Sequence, residues 1–179
     1  AMDLVDLIAE KYFLGQEFLT WLWFKSDERG GTVLVPGMGD LQLVFEKHMV
    51  LEFGEGEAHE KLICRGLQSE LKEARTGLKM AKKVEQACIH LVRGDYEWHL
   101  TLRGSTLEFA GVKPPKTMNG ADESNDPEAV EGRMLERIGL HEEAVRIIHE
   151  LFRLFLVVRV SPEWDKEVAA IRAWIHKAA

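Results

Sequence analysis

The run Phe13-Leu14-Gly15-Gln16-Glu17-Phe18-Leu19-Thr20-Trp21-Leu22-Trp23-Phe24 decides how the rest of the chain is read. Large apolar residues dominate it, and Phe18, Leu19, Leu22 and Trp23 recur at the spacing of a helix face. Leu14, Trp21 and Phe24 widen the apolar surface beyond one stripe. A helix apolar on most sides must be covered on more than one, so this segment is expected to form the centre against which other elements pack. Gly15 reads as a weak interruption, with the main helix running from there to about Lys25. Before it, Leu4, Leu7 and Ile8 predict a short helix over residues 3–10. After it, Ser26 to Gly31 is a polar, glycine-rich stop.

The period then changes to two. Val33 and Val35 precede a turn at Pro36-Gly37-Met38-Gly39-Asp40, and strands are expected at 32–35, 41–46 and 48–53. A reversal near Glu46-Lys47 separates the last two; it lacks the glycine such a turn prefers, so one long strand is the alternative. A further short strand covers 61–65. Ser69 is placed as the cap of a helix over 69–77 that stops at Gly77, although helical spacing continues toward Val92. The tight reversal at Gly94-Asp95 needs strands on both sides, which favours strands at 83–93 and 96–103. In the second, Tyr96, Trp98, Leu100 and Leu102 face one way and Glu97, His99, Thr101 and Arg103 the other. Gly104-Ser105 suggests a type II′ turn into Leu107 and Phe109, and Pro114-Pro115 ends the sheet. Residues 116–127 read as a loop, Asp126-Pro127 as a helix start, and helices follow at 127–138, 140–159 and beyond Ser161-Pro162-Glu163. The expectation is one α+β domain over residues 1–179: a largely antiparallel sheet of about six or seven strands covered by N-terminal and C-terminal helices.

With 179 residues, 46% of them hydrophobic and 30% charged, the chain can bury a substantial core. No apolar run reaches the roughly 18 residues of a membrane span; Leu151 to Val160 is broken by Arg153 and Arg159. The first residues lack the basic and apolar regions of a secretory signal, and Ala1-Met2 reads as a cloning remnant, which leaves open whether the sequence is a whole protein or a fragment of a longer one. Cys64 and Cys88 have no metal spacing and are expected to be reduced thiols in a cytoplasmic protein.

These elements resemble the recombination-associated RdgC family. The resemblance rests on Phe13 to Ser26, on Glu73-Ala74-Arg75 with Gly77, on Asp95-Tyr96-Glu97-Trp98, and on Val112-Lys113-Pro114-Pro115. It covers roughly residues 13–115 and, more loosely, 130–176. It implies a non-enzymatic, dimeric protein that binds DNA without sequence preference and modulates recombinase filaments, with no catalytic residue to carry over.

Net charge is −7, yet residues 61–120 carry 11 bases against 6 acids. Lys72, Arg75, Lys79, Lys82 and Lys83 gather there, a grouping suited to phosphate contact, with a solvated face as the bland counterpart. His141-Glu142-Glu143 and His149-Glu150 lack the i, i+4 pairing of a zinc helix. His48, His59 and His99 stand two residues from Glu46, Glu57 and Glu97, which exposed polar alternation explains without acid–base chemistry. Ser105 and Thr117 have no neighbouring base, and neither glycine-rich loop is a phosphate cradle. The five Trp side chains are candidates for base stacking, but most lie on apolar faces and read as core. No catalytic residue, metal or cofactor is expected. The functional expectation is therefore a sequence-independent DNA-binding protein associated with recombination, or alternatively a protein-interaction or oligomerisation domain without nucleic-acid contact.

Overall fold

The computed structural model describes residues 11, 13–54, 56–66, 71–116 and 125–177. Helix α1 (Phe13–Glu28) is followed by β1 (Thr32–Val35), β2 (Gly39–Phe53), a short 3-10 turn (Gly56–Ala58) and β3 (Glu60–Arg65). Then come α2 (Lys72–Lys79), β4 (Lys83–Arg93), β5 (Tyr96–Arg103), β6 (Phe109–Lys113), α3 (Pro127–Arg159) and α4 (Trp164–His176). The expected helix over 3–10, the cap at Ser69 and most of the 116–127 loop lie outside the described residues.

All six strands form one antiparallel sheet in the order β1-β2-β4-β5-β6, with β3 also on β2. The α+β architecture with helices from both ends of the chain is as the sequence predicts. The expected reversal at Glu46-Lys47 is absent: β2 runs unbroken from Gly39 to Phe53. The physical reason is pairing along its whole length. β1 bonds to residues 39–42, β3 to residues 48–53, and β4 to both halves. The irregularity between the halves is absorbed by a bulge between Phe45 and Met49 instead of a turn.

Alternation sorts the sheet into an apolar and a polar face. Leu41, Leu43, Phe45, Ile89, Leu91, Trp98, Leu100 and Leu102 are buried on one side. Helix α1 lies across β2 and β4 there, with α3 and α4 against it. Its position explains its composition: Phe18, Leu19, Trp21, Leu22, Trp23 and Phe24 are all buried, because sheet and helices claim different sides. Phe18, Trp21, Phe152 and Phe155 join their rings between α1 and α3, with centroids 5.1–6.5 Å apart. The Trp98 indole donates to the Leu140 carbonyl at 3.0 Å, tying the sheet to α3.

Three further expectations are corrected. Helix α3 is one 33-residue helix through Gly139, which has no proline or capping group beside it to stop the hydrogen-bond ladder. Helix α2 runs two residues past Gly77, whose Cβ would meet Leu62 at 2.8 Å; the glycine serves close packing on the sheet rather than termination. The β5–β6 reversal is not type II′. Gly104 does not take a positive φ; Leu107 does, at 54°, and Arg103 N–H closes onto the Glu108 carbonyl at 2.9 Å. Cys64 is buried, Cys88 half-buried, and both are free thiols. No helix among the described residues is long and apolar enough to cross a membrane.

Candidate interaction surfaces and a histidine cluster

The five basic residues singled out by charge do not form one face. Helix α2 ends at Lys79, and Ala81 at φ 61° turns the chain into β4, which takes Lys82 and Lys83 off the helical stripe. Arg75 is committed: its guanidinium lies 4.8 Å from the Trp174 ring and donates to Asp27 at 2.6 Å. Asp27 also accepts the Trp174 indole N–H at 2.7 Å, so the three residues knit α1, α2 and α4 together. Lys82 is ion-paired with Glu60 on β3. Its ammonium hydrogen-bonds the carboxylate and holds the Glu60 carboxyl below the usual range. Lys72, Lys79 and Lys83 remain exposed, and none of them is within ion-pair distance of a described carboxylate.

A cleft of about 600 Å³ lies beside Lys83, lined by Gln16, Glu52, His59, Glu85 and Ser105 among others. Glu85 is its organising group, and charge counting did not find it. It accepts from Gln16 Nε2 at 2.7 Å, from the Ser105 amide at 3.3 Å and from the Ser105 hydroxyl. A hydroxyl donating to a carboxylate already saturated by donors from α1 and the β5–β6 turn reads as a structural joint between them.

An exposed apolar surface lies on α3. The buried residues of that helix begin at Leu140, and every residue from Pro127 to Gly139 is at least partly exposed. Val130, Met134, Leu135 and Ile138 are 45–62% exposed there. Val130, Met134 and Ile138 follow at i, i+4 and i+8, a continuous apolar ridge. It borders an open groove of about 690 Å³ whose other wall includes Val112 of β6 and Pro114 just beyond it.

The histidines are distributed differently from their sequence neighbours. His48 stands opposite Arg65 on β3; burial first, then Arg65 and Lys61, holds its pKa below the ordinary imidazole value. His59 pairs with Glu52 at 3.4 Å rather than with Glu57. His141 and His149 are exposed on α3, while Glu143 is paired with Arg93 and Arg146. His99 does contact its sequence neighbour Glu97, with Nε2 at 3.0 Å, and its Nδ1 also lies 3.2 Å from Glu46, the carboxylate two residues from His48. Pairing of β4 with β5 also sets His90 directly opposite His99, and the imidazoles stack at 4.4 Å with 9° between planes. His90 Nε2 is 2.8 Å from the same Glu97 oxygen but out of hydrogen-bonding alignment, so this buried nitrogen has no hydrogen-bond partner. Glu97 is held below the usual carboxylate range chiefly by the His99 hydrogen bond. Sequence spacing could not reveal this cluster, because its members come from β2, β4 and β5.

The chain matches no family model, no curated protein and no solved structure.

Proposed function

We propose that this chain is a non-enzymatic interaction domain that self-associates through the projecting half of α3. The observation that carries the reading is the ridge of Val130, Met134 and Ile138 on a helical segment with no fully buried residue before Leu140. Residues 127–139 extend roughly 20 Å at the rise of an α-helix. Isolated helices of about that length are marginal in water, so cover over the ridge would add the packing that the rest of α3 has. The ridge complements itself. With two copies antiparallel about a dyad through Met134, Val130 falls at the level of Ile138 of the second copy, and Met134 meets its own counterpart. Apolar residues then meet along the centre.

Sedimentation velocity over a concentration series tests this reading. A concentration-dependent dimer is expected, and Met134→Glu together with Ile138→Glu should abolish it while the circular dichroism of the fold is retained. A native chain that stays monomeric up to the highest soluble concentration would sink the proposal.

A second reading is sequence-independent DNA binding, as the RdgC resemblance implies, and it rests on the exposed Lys72, Lys79 and Lys83. It is the weaker one, because Arg75 and Lys82 are already matched to Asp27 and Glu60. Three cations give a shallow salt dependence, a slope of about −3 against log salt at most. Fluorescence anisotropy with labelled duplex at low salt decides it. Lys72→Glu, Lys79→Glu and Lys83→Glu together should remove any binding without breaking an internal ion pair.

A further inference from the structure

We propose that His90, His99 and Glu46 bind one divalent transition-metal ion of the zinc class on the polar face of the sheet, with Glu97 orienting the His99 imidazole. One donor atom from each of the three ligands lies within 4.8 Å of the other two. Ligands of a tetrahedral zinc site stand about 3.3 Å apart, given metal–donor bonds of about 2.0–2.1 Å. Rotation about side-chain torsions therefore closes the set without moving the strands. The stacked rings have to splay to converge on one ion. Both histidines and Glu46 are only partly buried, on the face opposite the packed helices, so that motion does not disturb the core.

Two features favour a cation over a purely hydrogen-bonded cluster. A neutral imidazole carries a single N–H, yet His99 presents one nitrogen to Glu46 and the other to Glu97. For the neutral ring one of these contacts sets lone pair against lone pair, a conflict that a metal at the Glu46 side removes as a second proton would. Nε2–H donating to Glu97 while Nδ1 takes the ion is the carboxylate–histidine–metal arrangement of metalloproteins. The second feature is His90 Nε2, a buried nitrogen 2.8 Å from Glu97 but not aligned for a good hydrogen bond to it. Two imidazoles and a carboxylate suit zinc, cobalt, nickel or copper and are poor ligands for magnesium or calcium.

The site is built by register, not by spacing. His90 and His99 are paired directly across β4 and β5, while Val44 pairs with His90 and brings Glu46, two residues on, to the same face. It is independent of the self-association through α3, which involves none of these residues.

The test uses the full chain stripped with EDTA and titrated with Zn²⁺ against a chromophoric competitor, with Co²⁺ as spectroscopic probe. One Zn²⁺ per chain is expected, with a Co²⁺ visible spectrum of low coordination number and no response to Mg²⁺. His90→Ala with His99→Ala should abolish saturable binding. Glu97→Gln should weaken it by about 10–100-fold. His141→Ala with His149→Ala, on the exposed surface of α3, should leave it unchanged. Non-saturable uptake by the native chain, or full affinity in the His90/His99 variant, overturns the site. If that variant fails to fold, imidazole nitrogen resonances of the native chain decide: Zn²⁺ must shift those of His90 and His99, and shifts confined to other histidines overturn it.

Discussion

A Cβ on Gly15 would lie 1.8 Å from the carbonyl oxygen of Gly104, so α1 meets the β5–β6 turn backbone to backbone. The approach is reciprocal, since a Cβ on Gly104 would come within 3.2 Å of the Gln16 Cα. Gly15 is therefore no interruption of the helix, which runs from Phe13 through it. Gly15→Ala should destabilise the fold by at least about 1–3 kcal/mol, the cost of overpacking a close contact, because backbone cannot swing aside as a side chain can. A shift in the urea midpoint at constant slope is the readout. A midpoint equal to that of the native chain would show that α1 does not sit this close.

Phe155 and Val157 are two residues apart on α3 and should behave oppositely. Phe155 is fully buried, with the rings of Phe18, Trp21, Phe152 and Trp164 at 5.7–5.9 Å. Phe155→Ala should cost about 3–5 kcal/mol. Val157 is 62% exposed, and Val157→Ala should stay within about 0.5 kcal/mol of the native chain. Equal effects in chemical denaturation would contradict the packing of α3 on α1.

Local pattern carried most of the fold. The alternation of Tyr96 to Arg103 located β5 and its faces, Gly94-Asp95 located the β4–β5 turn, and Pro114 marked the end of β6. The misread boundaries were those settled by distant partners. Whether Glu46-Lys47 turns or continues depends on β1 and β3 bonding to the two halves of β2, which neighbouring residues do not encode. Site residues were less legible still. Charge counting grouped Arg75 and Lys82 with their neighbours, but Asp27 and Glu60, 48 and 22 residues away in sequence, decide what those cations do. The His90–His99 pair needs the strand register before it exists at all.

The Glu60–Lys82 pair makes acid sensitivity specific. Lys82 holds the folded-state pKa of Glu60 below its ordinary value, so the unfolded chain binds this proton more readily. The stabilisation is fully present above the unfolded carboxylate pKa of about 4.3 and is lost as pH falls through the lower folded value. Glu60→Gln should thus be less stable than the native chain at neutral pH, and the gap should narrow toward pH 3. Urea midpoints of both proteins across that range provide the check. A gap that is constant with pH would mean the ion pair does not form.

Gly132 and Gly139 sit inside α3, and a Cβ on either would find no heavy atom within 4 Å. Neither has a positive φ, so the glycines satisfy no backbone requirement at these positions. Glycine in a helix interior costs up to about 1 kcal/mol relative to alanine. Gly132→Ala and Gly139→Ala should each stabilise the chain by up to that amount, with the two effects adding where no contact couples them. At about 3.6 residues per turn, both positions fall on the side of the helix away from Met134. The double substitution should therefore strengthen the projecting half without altering self-association through the Val130–Met134–Ile138 ridge. Thermal denaturation and sedimentation velocity on the same samples separate the two effects. Destabilisation would show that the glycine backbone packs closely against another surface. Stabilisation with loss of the dimer would place the pairing face on the wrong side of α3.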